Sequence, residues 1–252
     1  KNMDVPVPAR EMTINLKGKD ALGKQELLVL NMLQTNDWKR PMYYAITVSP
    51  DQFVKLDPYF QQTGMAYQIV PMQTKNTVKA VNADKMFDNV MNKFKWGGVD
   101  KPGIYLDENV MRMCKSYRMV LFGKLAATLI HEGKNDKALQ VLDKCMEVLP
   151  PENVPLDYSA LSIGEYYYTL GQKEKGHNIL KAIGDDSMRN LNWYFRLNPK
   201  QFASVADDLN TNLYVLQEII NITKDKDPEL MNQYKEEFDN FRMALSSLQP
   251  KE

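Results

Sequence analysis

Two stretches of the chain carry the same small-residue pattern at an offset of 38 residues. Ala126, Gly133, Ala138 and Leu142 in the first correspond to Gly164, Gly171, Gly176 and Leu180 in the second. In each, a small residue sits in an apolar run and a glycine closes that run. A second small residue follows the glycine by five positions. Small side chains let two antiparallel helices bring their backbones close, and the glycine supplies the left-handed residue that ends the first helix. A unit that recurs at fixed spacing cannot bury its apolar face alone, so neighbouring units must stack. Such arrays are binding surfaces more often than catalysts.

The flanking pattern extends this reading to everything after Asp107. Asp107–Glu132 is apolar at Val110, Met113, Phe122, Leu125, Ala126, Leu129 and Ile130. Asp136–Leu149 places Ala138, Leu142, Cys145 and Leu149 on one stripe, with Lys137, Gln140, Asp143, Lys144 and Glu147 opposite. Pro150 and Pro151 stop it. The second unit runs Asp157–Leu170 and Lys173–Ile183. A final pair follows, Ala203–Ile222 and a helix started by Asp227 with Pro228 behind it. In that last helix Met231, Tyr234, Phe238, Phe241, Leu245 and Leu248 are spaced 3, 4, 3, 4, 3, a seam that requires a partner helix.

The N-terminal part has a different period. Met12, Ile14 and Leu16 alternate with polar residues, which predicts a strand over Glu11–Leu16. Gln25–Gln34 reads as a helix and Pro41–Val48 as a second strand. Ser49, Pro50 and Gln52 form a capping-box start for a helix through Phe53, Val54 and Leu56, broken near Pro58 and ended by Gly64. Met65–Val70 reads as a third strand. Strand, helix, strand in this space predicts a βαβ unit with a parallel pair. The rest of this part is a connector holding a helix over Asn82–Phe94. Its Gly97-Gly98 loop is not followed by the Lys-Ser/Thr of a phosphate cradle. The expected fold is therefore mainly α, with helical hairpin repeats over 107–252 and a small N-terminal α/β (βαβ) layer with connector over 1–106.

Charge and cysteine usage exclude some functions. Lys plus Arg equals Asp plus Glu at 32 each, which disfavours a nucleic-acid partner. No apolar window is long enough to span a bilayer. The chain starts without an initiator Met or a signal peptide, as expected of a processed chain or a piece of a longer one. Cys114 and Cys145 fall on consecutive antiparallel helices, roughly 10 Å apart along the axis at about 1.5 Å rise per residue. That is too far for a disulfide.

The repeat resembles a tetratricopeptide repeat. Ala126 with Ala138, and Gly164 with Gly176, fall where that family's two helices touch. Leu125, Tyr167, Leu142 and Pro150 also fall on its positions. The departures are Leu129 in place of the usual Tyr, and a period of 38 against about 34, the excess lying in Pro151–Leu156. A wider resemblance is carried by Asn36–Ala45, Gly64–Pro71, Trp96–Asp107, Val154–Leu161 and Asn192–Tyr194. These are similar to segments of a bacterial family of large membrane proteins whose multi-spanning N-terminal part looks like a protein O-mannosyltransferase. The resemblance implies a periplasmic or extracytoplasmic soluble tail of an inner-membrane protein. Transfer chemistry would belong to the membrane part, so no catalytic residue is carried over.

Candidate sites are sparse. His131 and His177 have no metal-ligand spacing, and no nucleophile motif or cofactor signature occurs. Asp185-Asp186 and Asp207-Asp208 are read as helix-end carboxylates. Of Tyr166, Tyr167 and Tyr168 at least one must face away from the core. By the tetratricopeptide resemblance, the groove would be lined by His131, Tyr158, Glu165, Tyr168 and Thr169, with Val120 and Ala127. Trp193 and Arg196 add an aromatic face and a guanidinium suited to sugars or peptides. The Lys/Asn/Arg set with which chaperone-binding members hold a peptide carboxylate is missing. Lys39 and Arg40 beside Trp38 could meet lipid headgroups or the membrane part, although a solvated loop is the plainer reading. The expected function is a non-catalytic accessory module without metal or cofactor. Its partners would be a protein or glycan ligand and the membrane part of the same polypeptide, with no nucleic acid. The competing expectation is a carbohydrate-active enzyme with its site between the α/β part and the helices.

Overall fold

A computed structural model describes residues 12–75 and 78–248, the side chains of 78, 247 and 248 excepted. The chain divides into two compact units, Lys1–Lys95 and Trp96–Glu252. Mainly helical structure is found, as the sequence predicts.

In the first unit α1 (Lys24–Asn36) turns Val29, Leu30 and Leu33 onto a core of Phe53, Leu56, Tyr59, Phe60 and Ile69. Glu26 is buried at the helix start. Its carboxylate accepts from Gly23 N at 2.8 Å and pairs with Lys19. Three strands follow: β1 (Tyr43–Ala45), β2 (Phe60–Gln62) and β3 (Ala66–Ile69). They form one sheet in the order β1-β3-β2.

Both pairings are antiparallel, with Tyr44 opposite Tyr67 and Gln61 opposite Gln68. The expected parallel βαβ unit is therefore not formed. The helix expected from Ser49 is replaced by two 3₁₀ turns, Pro50–Gln52 and Asp57–Tyr59. Ser49 makes no side-chain cap. Between the turns Val54 and Lys55 take left-handed φ values of 53° and 59°. The backbone bonds here join residues three apart, from Gln52 N to Ser49 O through Tyr59 N to Leu56 O. Pro58 has no N–H to extend a helix. Gly64, at φ +141°, turns the β2–β3 hairpin, closed by Thr63 N donating to Ala66 O at 3.0 Å. A connection this short can only return antiparallel.

Residues 12–16 belong to no strand, so the first predicted strand is not found among the described residues; Glu11 lies outside them. The alternation was still informative, because Met12, Ile14 and Leu16 pack on the core. Tyr59 Oη donates to Thr13 O at 2.9 Å and holds this segment down. Tyr44, Phe53, Phe60 and Tyr67 make an aromatic cluster, Phe60 stacked on Tyr67 at 5.4 Å between centroids. The unit closes with α2 (Ala83–Asp88), capped by Asn82, and its π-helical continuation Asn89–Lys93.

The second unit is helical. Its elements are α3 (Glu108–Tyr117), a π-helical stretch Arg118–Gly123, α4 (Lys124–His131), α5 (Asn135–Val148), α6 (Leu161–Thr169), α7 (Lys173–Tyr194), α8 (Pro199–Ser204), α9 (Ala206–Thr223) and α10 (Pro228–Leu248). α4 packs on α5, α6 on α7, α7 on α9, and α9 on α10.

The 38-residue offset reappears in the hydrogen bonds. Lys134 N donates to Leu129 O and Gln172 N to Tyr167 O, both at 2.8 Å. Gly133 N donates to Ile130 O and Gly171 N to Tyr168 O, both at 3.0 Å. The two glycines stand at φ +73° and +76°. Both helices thus end in the same left-handed cap. Ala126 and Ala138 are fully buried in the first hairpin. In the second, a Cβ on Gly176 would lie 2.9 Å from Gly164 O, and one on Gly164 would lie 2.6 Å from Leu180 Cδ2.

Two expectations change here. α7 continues to Tyr194 instead of ending at Ile183. Gly184 lies inside the helix and makes room for the ring of Tyr234. Asp185 and Asp186 are consequently mid-helix, while Asp207 and Asp208 do lie in the first turn of α9. Of the seam expected on α10, Tyr234, Phe238 and Phe241 are buried, while Met231 and Leu245 are half-buried and Leu230 beside Met231 is buried instead; the side chain of Leu248 is outside those described. Cys114 and Cys145 are free and buried, as the spacing required. Burial pushes the Cys145 thiol up to about 12, offset in part by the Arg118 guanidinium beside it.

Candidate functional site

One polar cluster of the helical unit gathers on Asp227, the residue before α10. Its side chain is almost completely buried. Asp227 Oδ2 accepts from the hydroxyl of Tyr168 at 2.7 Å and lies 2.8 Å from His177 Nδ1. Oδ1 accepts from Leu230 N at 3.4 Å and lies 4.0 Å from Lys173 Nζ. Next to it Lys226 Nζ donates to Thr169 Oγ1 at 3.4 Å. The turn between α6 and α7 and the turn between α9 and α10 are thus bound through one carboxylate. Burial pushes the Asp227 carboxyl upward. The hydrogen bonds from His177, Tyr168 and Leu230, with the Lys173 charge, outweigh burial and hold it below its ordinary value. The Tyr168 phenol is pushed well up, by burial first and by its bond to Asp227 second.

Two further tyrosine–aspartate bonds repeat the device. Tyr167 on α6 donates to Asp143 on α5 at 2.7 Å, where Lys175 Nζ also lies 2.6 Å away. Tyr234 on α10 donates to Asp185 on α7 at 2.7 Å and to Lys181 O at 3.0 Å. Each phenol is buried among apolar residues and finds a charged acceptor at the helix it crosses, which is how a buried hydroxyl avoids a desolvation cost.

Of the residues expected to line a groove, the structure brings Tyr168 and Thr169 into this cluster. Tyr168 is buried and turns inward, its ring against Gly176. Thr169 is exposed, its hydroxyl bonded to Glu165 O at 3.0 Å, and Glu165 is half-buried. His131 is exposed at the end of α4, and Tyr158 is 47% exposed just before α6. Trp193 is 57% exposed at the end of α7, its ring edge-on to Tyr194 at 5.4 Å. Arg196 is exposed, and its backbone N donates to Trp193 O at 3.1 Å.

His177 and Asp227 were not among the expected site residues. Arg118 was missed as well. It is fully buried, and its guanidinium donates to Val154 O at 2.8 Å, Pro155 O at 3.1 Å, Ser159 Oγ at 3.2 Å and Leu149 O at 3.3 Å. It binds the Pro151–Leu156 linker to the π-helical stretch. Its signal was positional: Arg118 stands on the same helical face as Cys114, Leu121, Phe122 and Leu125, all of them buried.

Residues 2–88 match the family model for TMEM260-associated domain 2. The match falls in the first unit and includes two of the segments that carry the sequence resemblance, Asn36–Ala45 and Gly64–Pro71. Neither a curated protein nor a solved structure matches the chain. Among the described residues no helix is long and apolar enough to cross a membrane.

Proposed function

We propose that this chain is a non-catalytic accessory module of a glycosyltransferase-like membrane protein. It is held outside the cytoplasmic membrane as that protein's C-terminal tail, and tetratricopeptide-like hairpins present a protein or glycan acceptor to the membrane part. The observation that carries this reading is the match of residues 2–88 to TMEM260-associated domain 2.

The helical unit supports it through chemistry. Asp143, Asp185 and Asp227 are each occupied by a tyrosine from a crossing helix, so these carboxylates serve as internal ties. The exposed groups offered to a ligand are instead Trp193, Arg196 and Tyr158, with Thr169 and His131, and the half-buried Glu165, on the first helices of the hairpins. Aromatic faces stack on sugar rings and on peptide planes, and a guanidinium adds charge-assisted donors. Tyr168 acts behind this face, fixing the α6–α7 turn through Asp227.

Calorimetric titration of the purified chain with mannosylated and unmodified acceptor peptides tests the reading. Saturable binding is expected, weakened at least about tenfold in Trp193→Ala, a loss of about 1.4 kcal/mol. No binding to either peptide class, or turnover of a glycosyl donor by the chain alone, would count against it; turnover would favour a carbohydrate-active enzyme.

A further inference from the structure

Helix α1 has two unlike faces. Glu26, Val29, Leu30 and Leu33 turn inward. The opposite face carries Leu27, Leu28 and Met32, which are 53%, 59% and 42% exposed. With Lys24, Asn31 and Thr35 they cover an arc of roughly 140° at about 100° per residue. Large apolar side chains gathered on an outer helix face are a surface seeking a partner.

The chain after α1 extends the same surface. Asp37 and Trp38 stand at φ 48° and 57°, two consecutive L-residues in the left-handed region. That conformation costs free energy and persists only where the surroundings impose it. Val54 and Lys55 share it, but Val54 is locked in the core. The Asp37–Trp38 pair has no such packing, since Trp38 is 47% exposed. It is held by a polar clasp: Asn36 Nδ2 donates to Arg40 O at 2.6 Å, Arg40 N donates to Asn36 Oδ1 at 3.2 Å, and Lys39 N donates to Asn36 O at 2.9 Å. The clasp therefore maintains a strained loop whose visible product is an outward indole. Beside it an open cleft of about 480 Å³ runs from Met32 and Thr35 on the helix to Lys39, Arg40, Pro41 and Met42. Helix face and loop are one continuous surface.

Its composition selects the occupant. Leu and Met side chains supply buried area, an exposed Trp is the side chain that settles at the level of lipid headgroups, and the surface carries Lys39 and Arg40 close after Trp38 and an exposed Lys24 at the other end of α1. Among the described residues of this surface, the acidic side chain opposing them is Asp37, 3.6 Å from Lys39 Nζ. We infer that the outer face of α1 and the Trp38 loop form a docking surface for an anionic lipid bilayer. Leu27, Leu28, Met32 and Trp38 enter the headgroup layer, while Lys24, Lys39 and Arg40 meet the lipid phosphates. The inference stands on this face alone and does not depend on the ligand-presenting role proposed for the helical unit.

Co-sedimentation of the full chain with vesicles decides it, using phosphatidylcholine alone and phosphatidylcholine mixed with phosphatidylglycerol. The chain is expected to bind the mixed vesicles preferentially and to be released by salt. Leu28→Glu and Trp38→Ser should each weaken binding on the order of tenfold with an unchanged circular dichroism spectrum, and tryptophan emission should shift to the blue on binding in the unaltered chain but not in Trp38→Ser. Tyr105→Ser, at a residue 90% exposed in the other unit, should bind as the unaltered chain does. Failure to bind mixed vesicles, or equal binding by Leu28→Glu and Trp38→Ser, overturns the inference. So does a dimer in sedimentation velocity that these substitutions dissociate, which would assign the face to a second copy of the chain.

Discussion

Asp227 and Arg118 show how single polar side chains organise the helical unit. Replacing Asp227 with Ala removes an N-terminal helix cap and leaves Tyr168 and His177 without their acceptor, which should cost about 2–4 kcal/mol in urea-unfolding experiments. The carboxyl is held below its ordinary value in the fold, so as pH falls the unfolded chain takes up this proton first. The stability it supplies is full above the ordinary carboxylate range and is lost as pH drops through the folded value. Asp227→Asn should therefore flatten the fall in stability on acidification, read as the urea midpoint against pH. Arg118→Met should cost about 3 kcal/mol, because four acceptors, Val154 O and Pro155 O on the linker and Leu149 O and Ser159 Oγ beside it, lose their donor. Lys should rescue little of it, since one ammonium cannot span the acceptors a guanidinium fork reaches. The cap role of Asp227 was legible from Asp-Pro at the start of an apolar period. Its other partners were not, because Tyr168 and His177 lie 59 and 50 residues away. Local pattern carries no information about pairs at that separation.

At the scale of elements the glycines divide into two kinds with different costs. Gly133 and Gly171 have open space around a Cβ and need only a left-handed φ, so Ala at either should cost about 1 kcal/mol. Gly176 and Gly184 face a backbone oxygen and a tyrosine ring, where a methyl forces helices apart; Ala there should cost about 3 kcal/mol. Urea midpoints for the four variants rank them, and equal costs would contradict the close approach. The hairpins were readable because their helices, caps and contacts all lie within a few tens of residues. The sheet was misread for a definite reason. The apolar run Phe53-Val54-x-Leu56 behind a capping signal fits a helix, but the left-handed Val54 and Lys55 are set by packing around the aromatic cluster. The strand that mattered, Phe60–Gln62, carries two glutamines and gives a weak strand signal. The expected groove likewise depended on which tyrosine of Tyr166–Tyr168 faces out. Tyr167 and Tyr168 both turn in, and Tyr166 stays half-buried.

At the scale of the whole molecule, the two units have separate cores, and the tyrosine–aspartate ties and the Arg118 clamp all close within the second. Trp96–Glu252 expressed alone should keep a helical circular dichroism spectrum and melt in one cooperative step. A non-cooperative melt would show that its stability comes from outside the unit. The functional account rests on a division of labour, in which this chain positions an acceptor and the membrane part performs transfer. The most direct test is to incubate the purified chain with a lipid-linked mannose donor and an acceptor protein and to follow transfer by mass spectrometry. The account predicts acceptor mass unchanged over the time in which a complete transferase would modify it. Heat-sensitive transfer of mannose by this chain alone would contradict it.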